Sequence, residues 1–409
     1  MSYDHGQRGE SARPAPLARE EAFIVGALRT AGGRKNGRLS KVHPADLAAK
    51  VLDAVVAQVG IDGALIDDVI LGCVSQNGAQ AANIGRNAVL SSKLPESVPG
   101  TSVDRQCGSG QQAVHFAAQA VMSGTQDLVI GGGVENMSQV PIGSNIIDGL
   151  KQGHGQPWNG EGIGARYPGV KFSQFTGAEM LAKQHGLTRE QLDQFAYDSH
   201  VKAARATREG RFASQILPLE VTLDDGKQVR HDADEGIRFD VQLEKLRALE
   251  VLAPGGMITA GTSSQICDGA AAVLIASGRA VKQHKLEPRA RIHTLSVVGS
   301  DPVVMLDGPI PAAKKALARA GMTIDDMDFY EVNEAFAPVP LAWCKALGAD
   351  PAKLNVNGGA LALGHPLGAT GAKLVTTLLC ELERTGKRWG LLAICEGGGT
   401  ANCTILERL

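Results

Sequence analysis

Residues 310–337, IPAAKKALARAGMTIDDMDFYEVNEAFA, repeat a pattern already present in PADLAAKVLDAVVAQVG (44–60) and IDDVILGCVSQ (66–76). Each copy sets apolar residues at helical spacing and then enters a short apolar run of strand character. Ile66-Asp67-Asp68 returns as Ile324-Asp325-Asp326, an offset of 258 residues. The same offset carries Cys107 onto His365. Cys107 stands in TSVDRQCGSGQQAVHFAAQAVMSG (101–124) and His365 in GGALALGHPLGATGAKLVTTLLCELERTG (358–386), both loops that run into a helix. Further on, DLVIGGGVENMS (127–138) is answered by GLLAICEGGGTANCTILE (390–407). One shared tripeptide is weak, but a shared offset points to two copies of one α/β unit. Strands alternating with helices of this length argue for a parallel α/β sheet.

Outside the repeat the chain adds three features. Ordered structure is expected to begin near Glu21, in EAFIVGALR, and residues 1–20 are polar and read as a disordered tail. Residues 141–255 interrupt the rhythm with GQPWNGEGIG, a helical stretch TREQLDQFAYDSHVKAARATREG and polar loops, and read as an insertion over the sheet. The α/β pattern resumes in GTSSQICDGAAAVLIASGRAV (261–281). The expected organisation is a first half from 21–140 and 256–285, an inserted loop domain at 141–255, and a second half from 286–409.

Composition narrows the function classes. With 409 residues, 44% hydrophobic and 21% charged, this is ordinary globular composition with a large core. The net charge of −2 offers no electrostatic case for nucleic acid or an anionic membrane, and no apolar run is long enough to cross a bilayer. Seven cysteines without CxxC spacing point to a reducing compartment, so the expected location is cytoplasmic.

Four positions carry chemistry. Cys107 enters a helix N-terminus, where unpaired N–H groups favour a thiolate, and Gly108 and Gly110 allow close approach of a substrate. His365 sits among glycines at the partner position of Cys107, the arrangement of a base beside its nucleophile. His115, inside the Cys107 helix, reads as packing. Cys395 closes the apolar strand LLAIC at the edge where α/β ligand sites lie, and Gly397–Gly399 offer N–H donors for an oxyanion. Asn333 and Glu334 end a strand of the second copy.

Cys107 in DRQCGSG, Asn333 in NEAFA, His365 in GGALALGHPLGATGA and Cys395 in CEGGG together resemble the thiolases, the acyl-CoA C-acyltransferases. The resemblance runs from about residue 21 to the C-terminus and implies a thiolase-like five-layered α/β/α/β/α fold, two βαβαβαββ halves with an inserted loop domain. It implies that Cys107 carries the acyl group as a thioester and that His365 activates its thiol. His365 and a water on Asn333 would form one oxyanion hole, and the N–H groups of Cys107 and Gly397 the other. Cys395 would move the α-proton. For coenzyme A, the resemblance suggests Arg238 at the nucleotide end, Ser264 at the pantetheine, and Ala335 and Phe336 along its channel. CoA and acyl-CoA would be substrates with no metal or organic cofactor, and the chain would associate as a homodimer or homotetramer.

The sequence also departs from many family members. Ser173 and Gln174 stand where biosynthetic acetoacetyl-CoA thiolases carry His-Met, Leu252 replaces an aromatic residue, and Gln111 is polar where an apolar residue is common. A β-ketoacyl synthase would not carry both Asn333 and Cys395, and a cysteine protease has no use for the duplication. A thiolase-like lipid-binding protein would have lost one of the four residues.

Overall fold

The computed structural model describes residues 20–223 and 225–409. The tail expected over residues 1–20 falls outside them except for Glu20, whose N–H donates to the Met122 carbonyl at 3.3 Å. The first half runs β1 (Ala22–Thr30), β2 (Gly33–Arg34), α1 (Pro44–Val59), β3 (Asp68–Gly72), α2 (Ile84–Ser91), β4 (Gly100–Val103), α3 (Ser109–Met122) and β5 (Leu128–Asn136). The chain then leaves the sheet through α4 (Ser144–Lys151), α5 (Glu161–Arg166), α6 (Gln174–Gln184) and α7 (Arg189–Arg208). Three short strands follow, β6 (Ile216–Leu217), β7 (Leu219–Thr222) and β8 (Gln228–His231), and then α8 (Leu243–Arg247). It returns through β9 (Cys267–Ser277) and α9 (Gly278–His284). The second half is β10 (Ala290–Gly299), α10 (Pro309–Ala320), β11 (Phe329–Val332), α11 (Pro338–Leu347), α12 (Ala360–Leu363), α13 (Leu367–Thr385), β12 (Trp389–Glu396) and β13 (Thr400–Arg408).

The main strands lie in the order β11-β12-β13-β10-β1-β9-β5-β3-β4. Around the antiparallel β1–β10 pair the two sides mirror one another. β9, β5 and β3 follow β1 as β13, β12 and β11 follow β10, with the same parallel and antiparallel senses. Even β4 has a remnant partner, the parallel bridge from Tyr330 to Leu354. Matching helices begin and end alike: α1 and α10 both start on proline, and Gly60 and Gly321 close them with φ of 75° and 66°. A left-handed residue costs glycine little, which is why each helix stops there.

The register of the repeat differs from the one the tripeptide suggested. Asp67 Oδ2 accepts the N–H groups of Asp127 and Leu128 at 2.6 and 3.0 Å. Asp328, not Asp325, does the same for Arg388 and Trp389, both at 2.9 Å. The offset is therefore 261 at these strands and 258 only where α3 and α13 begin. Ile324-Asp325-Asp326 is a short 3-10 turn, whereas Ile66-Asp67-Asp68 enters a strand. Asn333 consequently matches Gly72, and Glu396 matches Glu135.

Most of the burial falls into three large cores, which makes the five layers. α1 and α2 cover the outer face of the first half-sheet, and α6, α10 and α11 that of the second. Between the sheets lie α3 and α13, with Val114, Val121, Leu374 and Leu378 packed against Ile24, Val273 and Ile394. Each such aliphatic side chain gains about 1.5–3 kcal/mol by leaving water. α13 is buried along its length from Leu367 to Leu382, so its polar residues are bonded internally, as Thr376 to the Ala372 carbonyl at 2.8 Å.

Glycines let the two central helices touch backbone to backbone. A Cβ on Gly133 of β5 would stand 1.9 Å from the Gly368 carbonyl, and one on Gly371 would stand 1.9 Å from the Gln111 nitrogen. Cys107 and His365 each precede their helix by two residues, so this crossing carries both to one place.

Candidate active site

Cys107 is partly exposed on the loop between β4 and α3. The preceding Gln106 is held at φ 47°, a strained value for a side-chain-bearing residue. Ser109 holds it there, its hydroxyl donating to the Gln106 carbonyl at 2.6 Å and accepting from the Arg105 N–H at 2.8 Å. Burial and the nearby Glu396 push the thiol up to about 12, while the N–H groups of Cys107 and Gly397 act on the sulfur in the opposite direction. This corrects the expectation of a thiolate: desolvation outweighs the helix N-terminus, and the resting group is a thiol that needs a base.

Cys395 is fully buried near the end of β12, close enough to Cys107 to feel its charge. Burial, then Cys107, lifts its thiol well above the ordinary range. Gly397 follows in the turn to β13, where Gly398 and Gly399 adopt φ of 81° and 73°.

His365 is anchored at its backbone N–H and at both ring nitrogens. Its N–H donates to the Gln265 carbonyl at 3.1 Å. Nδ1 lies 2.6 Å from the Thr370 hydroxyl, and that hydroxyl gives its single hydrogen to the Pro366 carbonyl at 2.9 Å. Nδ1 must therefore be the N–H, which leaves the lone pair on Nε2. Nε2 faces Asn333 Nδ2 at 3.3 Å. Burial, then the Lys373 ammonium, lowers the imidazole to about 3, so it rests neutral. Lys373 Nζ binds the Leu363 and Gly364 carbonyls at 2.7 and 3.2 Å and fixes the approach to the histidine.

Asn333 is buried, and its Oδ1 has no partner. Its loop is held by the neighbouring Glu334, whose carboxylate accepts from Ser199 Oγ at 2.7 Å, Asn355 Nδ2 at 2.9 Å and the Leu361 N–H at 3.1 Å. The Ser264 N–H donates to the Ala335 carbonyl at 2.9 Å, which ties the 264–265 loop to both Asn333 and His365.

The candidate coenzyme A contacts are more dispersed. Arg238 is exposed, its N–H donating to His200 Nδ1 at 3.1 Å. Ala335 and Phe336 are buried, with the Phe336 ring stacked edge-on against the half-exposed Phe175 at 5.4 Å. Ser173 caps α6, Gln174 begins it, and Leu252 lies exposed on a loop. Gln111 is buried and donates to Thr404 Oγ1 at 2.7 Å, beside His115, whose Nε2 meets the same hydroxyl. His115 is thus a packing residue, as its place in the helix suggested.

Three supporting side chains were not singled out from sequence. Thr370 stands five residues after the histidine, within the quoted GHPLGATGA, and Glu396 within CEGGG, but neither had a stated role. Glu135 accepts the Val74, Ser75 and Gly368 N–H groups and Gln80 Nε2, which ties the first half to the start of α13. Among the described residues no group of His, Cys, Asp or Glu could hold a metal ion, and no helix is long and apolar enough to cross a membrane.

Comparison with known proteins returns one family. Residues 22–279 match the model of the thiolase N-terminal domain, and residues 286–408 that of the thiolase C-terminal domain. A steroid 3-ketoacyl-CoA thiolase of Mycobacterium tuberculosis is 52% identical over 95% of this chain and 94% of its own. A beta-ketoadipyl-CoA thiolase of Acinetobacter baylyi is 43% identical over 95% of this chain and 100% of its own. The crystal structure of the Bacillus anthracis acetyl-CoA acetyltransferase superposes with a TM-score of 0.88 at 36% identity, covering 96% of this chain and 100% of that one.

Proposed function

Because the chain belongs to the thiolase family, we propose that it is the acyltransferase that cleaves a 3-ketoacyl-CoA with coenzyme A, or runs the reverse condensation. What supports the reading is the α3–α13 crossing, where the Cys107 and Gly397 N–H groups act on the Cys107 sulfur, the buried Cys395 feels its charge, and a neutral His365 stands beside Asn333 at the start of the facing helix.

In cleavage, His365 Nε2 takes the Cys107 proton as the sulfur attacks the 3-keto carbon. The oxyanion formed there is met by the N–H groups of Cys107 and Gly397. The bond between C2 and C3 breaks, and its electron pair moves into the thioester as an enolate, stabilised by His365 and a water on Asn333. Cys395 gives C2 its proton, acetyl-CoA leaves, and the shortened acyl group stays on Cys107. Coenzyme A then enters, Cys395 takes its thiol proton, and acyl transfer to its sulfur releases Cys107, which takes its own proton back from His365. Two half-reactions through one thioester give ping-pong kinetics. No cofactor enters any step.

Residues 141–255 are assigned to coenzyme A, with Arg238 and Ser264 as contacts. The 52% identity to a steroid 3-ketoacyl-CoA thiolase favours a bulky acyl group. Cytoplasmic location fits seven free cysteines, and self-association as a dimer or tetramer fits β4, whose outer edge is unpaired among the described residues. The test is acetylation by acetyl-CoA followed by mass, with specificity constants for straight-chain, dicarboxylic and steroid 3-ketoacyl-CoA. Cys107→Ala should take no acyl group. Cys395→Ala should acylate but neither make nor break the carbon–carbon bond; equal acylation defects in both would overturn these roles.

A further inference from the structure

Helix α7 buries a stripe at helical spacing, Leu192, Ala196, Ser199, Ala203 and Ala206, in which the serine alone is polar. A serine inside a helix often turns its hydroxyl back to the carbonyl one turn before it. This one points out of its helix. Its Oγ donates to Glu334 Oε2 at 2.7 Å and accepts the Gly359 N–H at 3.1 Å. The hydroxyl thereby spends its hydrogen and a lone pair on the two loops that carry Asn333 and lead to His365. Further along α7, Lys202 Nζ donates to the Leu354 carbonyl at 2.9 Å and Arg205 Nη2 to that of Val356 at 3.4 Å. The insertion thus grips residues 354–359 of the second half from one helix.

Asn333 has little of its own to hold it. Its backbone N–H donates to the Ala393 carbonyl at 3.0 Å, but its side chain meets only His365, at 3.3 Å, and Oδ1 has no partner among the described residues. The amide's place therefore depends on the backbone between β11 and α11, which Glu334 fastens. Oε1 of that carboxylate is held by Asn355 Nδ2, and Oε2 by Ser199 and the Leu361 N–H. On one side Gly359 comes so near that a Cβ there would lie 2.3 Å from the carboxyl carbon. On another a cavity of about 590 Å³ opens, lined by Phe195, Leu341 and Leu354 together with Ser199 and Glu334 itself. Toward that cavity hydrogen bonds, not walls, set the carboxylate.

We propose that Ser199 is a positioning residue that acts through Glu334 on Asn333, keeping that amide and the water it would carry where the enolate oxygen forms. The proposal rests on the reading of Asn333 and His365 as the enolate site. Its claim is selective. The tetrahedral intermediate on Cys107 is met by the N–H groups of Cys107 and Gly397, which belong to the loop before α3 and the turn after β12. His365 keeps its own anchors in the Gln265 carbonyl and the Thr370 hydroxyl. Loss of the Ser199 hydroxyl therefore leaves acyl transfer to Cys107 intact and weakens the steps that pass through the enolate. On this account the insertion does more than bind coenzyme A, because it braces a reacting loop of the second half.

The test compares two readouts on acetyl-CoA. Single-turnover acetylation of Cys107, followed by mass, passes through no enolate. Wash-out of deuterium from C2 of deuterated acetyl-CoA does, and is followed by the mass of the recovered thioester. Ser199→Ala should acetylate within about threefold of wild type and lose about ten- to 100-fold in wash-out, the scale of a reacting group displaced by up to about 1 Å. Ser199→Thr keeps the hydroxyl and should restore most of the wash-out. Ser199→Cys has a weaker donor and should show the same split at smaller size, which serves if the alanine variant does not fold. Equal losses in both readouts, or wash-out within about threefold of wild type for the alanine variant, overturn the proposal; if only the cysteine variant folds, equal losses or unchanged wash-out there overturn it. Asn333→Ala separates the proposal from the reading beneath it. Normal wash-out in that variant refutes the enolate site and the proposal with it. Slow wash-out there beside normal wash-out in Ser199→Ala refutes the proposal alone.

Discussion

Thr370→Val isolates the hydrogen bond that sets the histidine. Valine keeps the shape of threonine and removes the hydroxyl that accepts from His365 Nδ1 at 2.6 Å. Nothing else stands ready to take that hydrogen, so a buried N–H is left unpaired at a cost of about 1–3 kcal/mol. The ring can avoid the cost by moving its proton to Nε2, but that tautomer has no lone pair for the Cys107 proton. If the productive tautomer becomes less stable by this amount, acetylation slows by about five- to 150-fold, a factor of ten for each 1.4 kcal/mol. KM for acetyl-CoA should change little, because Thr370 is buried behind the imidazole. Quenched-flow acetylation with mass detection gives the rate, and urea unfolding shows whether the fold loses a similar 1–3 kcal/mol. Thr370→Ser should restore most of the rate. A valine variant that acetylates within twofold of wild type while losing stability would mean that the hydroxyl only holds the fold, and the tautomer argument would fail.

Other perturbations test separate parts of the structure. Gly371→Ala sets a methyl group 1.9 Å from the Gln111 nitrogen and must push α13 off α3. The expected cost is about 1–3 kcal/mol of overpacking together with at least a tenfold slower acetylation; a variant with unchanged rate and melting temperature would refute the close crossing. Asp234→Ala removes the buried partner of Arg29, whose Nη1 and Nη2 it meets at 2.8 and 3.0 Å, with Lys373 nearby. Leaving that guanidinium uncompensated should cost about 3–5 kcal/mol in urea unfolding, and a loss below 1 kcal/mol would contradict it. His365 holds its neutral form down to about pH 3. Since a lowered histidine loses its neutral state only as pH falls through the folded value, acetylation should stay within about twofold from pH 7.5 to 5.5. A tenfold drop per unit with a midpoint near 6.5 would show an ordinary, solvated imidazole.

The large features of the molecule are legible in the sequence because they are periodic or use residues with narrow backbone preferences. Helices bounded by Pro44 and Gly60, and by Pro309 and Gly321, mark the two copies without any structure. The glycines of β5 stand in a quoted stretch, but the approach they permit, that of the α13 backbone, shows only in the structure. The tripeptide match misplaced the register by three residues, since Asp325 resembles Asp67 in its neighbours while Asp328 carries its hydrogen bonds. Sequence likeness follows residue type, whereas equivalence follows the carboxylate's partners. The state of Cys107 was also out of reach, because the balance between a helix terminus and burial depends on Glu396 and on the depth of the site. Thr370 and Glu396 lay inside stretches that had been singled out, but a hydroxyl's direction and a carboxyl's nearness to a thiol are properties of space rather than of order along the chain.

The contact between α3 and α13 has an evolutionary corollary. Where main chain lies on main chain, no rotamer can absorb a changed neighbour, so drift at the seam is met by clash rather than by gradual repacking. Change meets less resistance in the long excursion between β5 and β9, where Ile147, Trp158 and Ile163 are exposed. A fold built this way admits change at its margin while its centre stands still.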